Sequence, residues 1–256
     1  MRDLSAQVRA ALERTRLTSN WPDEAVDEVC TQAEIRYYKD GERACSAGDV
    51  VDAVWVITDG CFLLSKTWQN GRRFLYSFSR PGQSSGILPV FDGQSAPFDV
   101  SARDHATAVV IPGSAIRSVA ARHPQVALEV IALLCRRTRT DLETIELHAM
   151  NSVRCRIAKM ILWIARGQSS VDADEIVVDS KISQEDLADT VCAARQSVNR
   201  ELRRLMQEGI LKQRYRTLVI LDRERLIRVA GEDEALSAVA EDRIAPVPEH
   251  LYPTTE

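Results

Sequence analysis

The sequence predicts an α+β fold in three successive parts, on three observations. Between residues 33 and 112, short apolar runs such as AVWVITDG, CFLLSKTW, RRFLYSFS and FDVSA alternate with turn signals KDGE, SAGD, QNG and RPGQ. Strands at this spacing, punctuated by Gly and Asp, describe an all-β roll or barrel, and the fold class expected for this part is a jelly-roll-like double-stranded β-helix. From His123 to Asn151 no Gly or Pro follows Pro124, and apolar residues recur at helical spacing, so one long helix follows the roll. Beyond Asn151, two short helical stretches and a trailing hairpin pattern describe a winged helix-turn-helix.

Each element has a local cause. Residues 1–30 read as one or two short helices, the second opening at WPDEAVDEVC with Pro22 in a first-turn position. In the roll, QNGR at 69–72 is the clearest hairpin, because Asn-Gly suits the positive-φ positions of a type I′ turn. In the long helix, Leu128, Ile131, Cys135, Thr138, Leu142, Ile145 and Ala149 recur in steps of three and four, a heptad seam. A second stripe, Val126, Val130, Leu133 and Leu134, suits packing on the roll. A helix with two apolar faces must be covered twice, and a homodimer through the seam is the economical cover. Next, VRCRIAKMILWIARG reads as an amphipathic helix ending at Gly167, and EIVVD as a short strand. Ser183 with Asp186 forms a capping-box pattern that starts a helix at SQEDLADTV. After about residue 228 the periodicity fades into AGEDEALSAVAEDRIAPVPEHLYPTTE, read as a weak helix and a mobile end.

Composition narrows the function classes. A chain of 256 residues is long enough for two domains, and 45% hydrophobic with 27% charged residues is ordinary for a soluble protein. The start MRDLSAQVRAALERTR is charged and amphipathic rather than a signal peptide, and no apolar run approaches a membrane span. A cytoplasmic protein with no membrane partner is expected. Six cysteines at 30, 45, 61, 135, 155 and 192 form no CxxC pair, which argues against a zinc knuckle or disulfide framework. A formal net charge of −4 argues against general nucleic-acid coating and leaves room for a local basic patch.

That patch lies in AARQSVNRELRRLMQEG, residues 193–209. On a helix, Val198, Leu202, Leu205 and Met206 share an inward face, while Arg195, Gln196, Asn199, Arg200 and Arg203 fall largely on the other. Arginine reads guanine bidentately in the major groove, and Gln or Asn reads adenine. From Arg195 to Arg216 seven basic residues (195, 200, 203, 204, 212, 214, 216) stand against two acidic ones (201, 208), an excess of five positive charges. Lys212, Arg214 and Arg216 fall on the predicted wing, where phosphate contact is the natural task. DNA reading by Arg195, Gln196, Ser197, Asn199, Arg200 and Arg203 is therefore expected.

At this point the sequence resembles the CRP/FNR family of bacterial transcription regulators. ISQEDLADTVCAARQSVNRELRRLMQEGIL is similar to the family's helix-turn-helix, and Arg195, Ser197, Val198 and Arg200 match its R-x-[ST]-V-x-R pattern. GERACSAGDVVDAVWVITDGCFLL and GRRFLYSFSRPGQSSG are similar to its cyclic-nucleotide-binding roll. The resemblance covers residues 30–228. Together with the segmentation above, it implies a sensor roll at 1–122, a dimerisation helix at 123–150, a DNA-binding winged helix-turn-helix at 151–228 and a tail at 229–256. It also implies a homodimer on a near-palindromic double-stranded site, with RNA polymerase as a further partner.

The departures from the family pattern are informative. Members that bind cyclic AMP carry a phosphate cassette whose Glu takes the ribose hydroxyl and whose Arg takes the cyclic phosphate. In SGILPVFDGQSAPFDV, Gly86 fits, but Ile87 stands at the Glu position, and Ala96 and Pro97 at the Arg-Ser pair. Isoleucine accepts no hydrogen bond, and an unpaired buried phosphate is costly. Arg103, with Asp104 beside it, is a poor substitute. Little or no cyclic AMP binding is expected, and no cofactor. Gln196 stands where members often carry Glu, so a different half-site is expected, and Ala193 and Ala194 remove the usual hydroxyl cap.

Other signals find few residues. Cys30, Cys45 and Cys61 lack the close spacing of an iron–sulfur site. His105, His123 and His148 suit structural or solvated roles better than haem ligation. With four histidines in the chain, a metal site on the roll is not expected. Cys155, near the predicted hinge, and Cys192, in the turn before the recognition helix, are the candidates for thiol control. The alternative reading is thus a roll that switches DNA binding on a different small molecule, a nucleotide or thiol oxidation. An enzyme built on the roll lacks a nucleophile–base pair, and a cyclic-nucleotide module acting through protein partners is opposed by Ile87 and Ala96.

Overall fold

The computed structural model describes residues 2–15, 17–165, 176–178, 183–214 and 217–231. It opens with helices α1 (Arg2–Leu12) and α2 (Asp23–Cys30). Pro22 caps α2 from just outside, one position before the first turn predicted for it. The roll follows as β1 (Glu34–Lys39), β2 (Arg43–Cys45), β3 (Ala53–Thr67), β4 (Arg73–Ser79) and β5 (Ser84–Ser85), short helix α3 (Ile87–Asp92) and strand β6 (Asp99–Pro112). These six strands pair antiparallel in the order β1-β6-β3-β4, with β2 on β6 and β5 on β3.

Strands β3 and β6 pair over most of their length and bend where their register slips, between Ile57 and Asp59 and again between Gly60 and Cys61. Glycine is required there. Gly60 has φ +74°, and a Cβ on it would sit 2.1 Å from the His105 carbonyl oxygen. Such an irregularity lets a long strand turn a corner and close a roll. Gly60→Ala is expected to destabilise the protein by about 2 kcal/mol or more, since strain and backbone clash add. Urea denaturation measures it; an unchanged midpoint would show that the bend accommodates a Cβ.

The 69–72 hairpin differs from the type I′ expectation. Trp68 N–H donates to the Arg72 carbonyl and Gly71 N–H to the Trp68 carbonyl, both at 2.9 Å. Gly71 has φ +78°, whereas Asn70 is not among the residues at positive φ. The three-residue loop with one left-handed glycine replaces the two-residue turn, and Asn70 instead accepts from Arg72 N–H.

Two cores flank the sheet. Tyr38, Trp55, Ile57, Phe62, Val100 and Ala102 fill the roll's interior, with Trp55 Nε1 donating to the Tyr38 hydroxyl at 2.9 Å. Val54, Val56, Val109 and Ile111 face the other way, onto α1, α2, α4 (Gly113–Arg122) and the start of α5 (Pro124–Met150). Val126 and Val130 of α5 are buried in this cluster, with Leu133 and Leu134 packed against it.

The described residues divide into two compact units, one within Met1–Thr138 and one within Arg139–Arg243, so the division falls inside α5. The second unit holds the end of α5, then α6 (Val153–Ala165), β7 (Ile176–Val178), α7 (Gln184–Thr190), α8 (Arg195–Gln207), β8 (Leu211–Arg214), β9 (Thr217–Ile220) and α9 (Arg223–Val229). Its sheet runs β7-β9-β8, a hairpin with a third strand added. Its core joins Ile157 and Ile161 of α6 to Leu187, Val198, Leu202, Leu205, Ile210 and Leu226. The expected helix stop at Gly167, the wing residue Arg216 and all of the tail from 232 onward lie outside the described residues.

Candidate nucleic-acid interface

The reader is built from a capped helix, a strained turn and a second helix. Ser183 Oγ accepts from Asp186 N–H at 3.0 Å, and Asp186 Oδ2 accepts from Ser183 N–H at 3.0 Å, the capping box the sequence predicts. Asp186 is buried and also accepts from Ser183 Oγ. The chain leaves α7 through Cys192, which holds φ +50°, the left-handed region glycine favours. A non-glycine residue there costs on the order of 1 kcal/mol. Ala193 N–H closes the turn on the Ala188 carbonyl at 3.0 Å. Helix α8 then begins at Arg195 with Ala194 as its cap and no side-chain cap hydrogen bond.

Val198, Leu202 and Leu205 of α8 are buried in the second unit's core, with Met206 packed at its edge. Arg195, Gln196, Arg200 and Arg203 are exposed, and Ser197 and Asn199 half-buried. A shallow groove along the helix is lined by Gln196, Asn199, Arg200, Arg203, Arg204 and Gln207. Arg204 and Gln207 therefore join the candidate reading face. The 3.6-residue period carries both of them to the outer side, a signal the inward face already contained. The C-terminal end of α8 is anchored. Glu208 accepts from Arg154 of α6 at 2.5 Å, and its carbonyl accepts from Arg225 of α9 at 2.9 Å. Arg154 holds the Glu208 carboxyl below the usual carboxylate range. On the wing, Lys212 and Arg214 of β8 are exposed.

Along α5, Ile131, Leu142 and Ile145 are 55%, 60% and 63% exposed. Cys135, Thr138 and Ala149 are exposed too, and Leu128 half-buried. The seam stripe is thus open to solvent in one chain, while the second stripe is packed.

At the cassette, Gly86 has φ +93°, and a Cβ there would lie 2.3 Å from the Ala53 carbonyl oxygen. Ile87 is fully buried in the helical core beside Val90. Ala96 is buried with the roll's interior, its backbone bonded to Gly48 and Asp49; Pro97 is exposed. Nearby, Phe98 stacks on Tyr76 with ring centroids 4.6 Å apart. Arg137 of α5 donates to the Ser84 carbonyl and, at 3.1 Å, to Ser84 Oγ. The chain's own groups thus tie α5 to β5.

The other candidates are placed plainly. Cys155 is buried, donating to Asn151 Oδ1 and the Ala230 carbonyl at 3.0 Å each, and burial pushes its thiol up, away from the reactive thiolate. Cys192 is exposed. His148 lies beside Arg156, and burial first, then that charge, lower its pKa. Exposed His105 lies 3.3 Å from Asp59. Among the described residues no group of three His, Cys, Asp or Glu is placed to hold a metal, and no helix is long and apolar enough to cross a membrane.

Two family models match this geometry. Residues 35–123 match the cyclic nucleotide-binding domain, and residues 155–229 match the Crp-like helix-turn-helix domain. The chain belongs to the CRP/FNR family. It is a transcription regulator of that family, with a DNA-binding helix-turn-helix. A CRP-like cAMP-activated global transcriptional regulator of Mycobacterium tuberculosis is 24% identical over 206 residues, covering 80% of this chain and 92% of its own. The transcriptional activator protein FnrL of Cereibacter sphaeroides is 23% identical, covering 81% and 86%. In fold, the chain is similar to FixK2 from Bradyrhizobium japonicum, with a TM-score of 0.70 at 22% identity over 78% of this chain and 98% of that one.

Proposed function

We propose that this CRP/FNR regulator binds a near-palindromic operator as a homodimer and needs no cyclic AMP to do so. The observation that carries the second half is Ile87. A side chain sealed into the helical core offers a ribose hydroxyl nothing, and buried Ala96 offers a cyclic phosphate no cation. The Arg137–Ser84 tie supports the same reading, because the chain's own groups fasten α5 to the roll there. The open seam of α5 supports the dimer, and the outward stripe of α8 with Lys212 and Arg214 supports the operator contact. RNA polymerase is the proposed protein partner, since FnrL is named a transcriptional activator. The protein acts in the cytoplasm, by binding and not by catalysis.

The test is selection of bound sequences from random duplex DNA with purified protein and no added ligand. Recovery of a palindrome with half-sites about 34 Å apart is expected. Recovery of nothing above background would overturn ligand-free binding.

Cyclic AMP itself is expected to leave the melting temperature unchanged. A ligand at a hundred times its dissociation constant stabilises by about 2.7 kcal/mol, roughly 5–10 °C for a protein of this size. A rise of that order in a thermal-shift titration would overturn the reading of Ile87 and Ala96.

A further inference from the structure

We propose that Glu201 is a positioning residue for DNA reading, holding Arg200 and Arg204 from behind. This rests on α8 being the reader. Glu201 points away from the outer stripe, and its side chain is only 8% exposed. Yet it touches that stripe. One carboxylate oxygen, Oε1, accepts from Arg204 Nη1 at 3.1 Å and from Arg200 Nε at 3.4 Å. Both arginines stay more than half exposed, at 57% and 64%.

The atoms used decide what is left over. Arg200 spends its Nε and keeps both Nη groups, the pair that bonds two acceptors of a guanine edge. Arg204 spends one Nη and keeps the rest of its fork. An arginine free in solvent must give up rotamer freedom when it docks; one already held by a carboxylate has given up part of it. The same contact limits where the guanidinium can go, which penalises a base pair whose acceptors lie elsewhere. Glu201 therefore contributes to selectivity more than to attraction, and as a negative charge close to DNA it opposes attraction.

The Glu201 charge also favours the charged form of Arg154 of α6. Arg154 bonds Glu208 at the far end of α8. Arg154 thus links α6 to the end of α8, and the buried Glu201 carboxylate fastens Arg200 and Arg204 to the same helix. The sequence signal is an acid inside a run of arginines, RELRR.

The experiment compares native protein, Glu201→Met and Glu201→Gln on two duplexes. One is the sequence recovered by selection with native protein; the other is scrambled. Glu201→Met removes the acceptor, and its ratio of specific to scrambled affinity is expected to fall about ten-fold, the worth of one constrained base contact. Scrambled affinity is expected to rise, and its salt dependence to steepen by about one unit, as released arginines turn to phosphates. Glu201→Gln keeps an acceptor oxygen and is expected to recover part of the ratio. Parallel loss on both duplexes, or an unchanged ratio in a folded variant, would overturn the proposal. If Glu201→Met does not fold, an unchanged ratio in Glu201→Gln overturns it alone. A native protein that prefers neither duplex would instead overturn α8 as the reader, a different failure.

Discussion

Arg200→Ala is expected to cost about 1–3 kcal/mol of operator affinity and to relax base choice at one position in each half-site, whereas Arg214→Ala weakens all sequences alike. The contrast follows from where the two arginines stand. Arg200 lies midway along α8, on the groove lined by Gln196, Asn199 and Arg203, which suits a side chain that meets base edges. Arg214 ends strand β8 on the wing, a position that suits a phosphate contact. A base contact carries sequence information and a phosphate contact carries charge. The measurement is affinity for the selected duplex and its single-base variants at several salt concentrations. For Arg214→Ala the salt slope falls by about one with the preference order intact. For Arg200→Ala the order itself collapses at one base pair. If both variants lost affinity uniformly across sequences, Arg200 would be a phosphate contact and the reading face would have to be redrawn.

Much of this is legible in the sequence, because periodicity and caps are local. The order of roll, long helix and winged helix-turn-helix follows from strand-like runs between turn signals, then a seam in steps of three and four. The capping box needed only Ser183 and Asp186 three residues apart, and the inward face of α8 only the spacing of Val198, Leu202 and Leu205. What stayed hidden depends on distant partners or on backbone geometry no residue type announces. The Arg137–Ser84 tie joins positions 53 apart in sequence. Asn-Gly at 70–71 was a sound signal for a two-residue turn, but pairing of Trp68 with Arg72 made the loop one residue longer. Cys192 takes a conformation that glycine would have advertised. Ile87 reads from its apolar side chain as unable to serve a nucleotide, and only the packing shows that it is core. Glu201 was countable as one acid among arginines, but side-chain direction decided that it faces two of them.

Leu142→Glu is expected to dissociate the proposed dimer and to lower operator affinity at least about a hundred-fold. Leu142 is 60% exposed in one chain, so a carboxylate there leaves the fold of each chain intact and the helix-forming tendency nearly unchanged. In a symmetric seam the same change buries two carboxylates near the two-fold axis without partners, a cost that the remaining seam residues cannot offset. The effect on DNA is larger than any single contact, because a dimer holds its second reader at high effective concentration once the first has bound. That linkage is worth a factor of about 10²–10⁴, and a monomer forfeits it whole. The variant should still bind an isolated half-site as the native chain does. Sedimentation gives the mass, thermal melting gives the integrity of the fold, and titration on full and half operators separates avidity from contact. A variant that sediments as a dimer with full operator affinity would remove α5 as the dimer seam. Ile131, Leu142 and Ile145 would then need another cover, since three large apolar side chains in one stripe are seldom left to water.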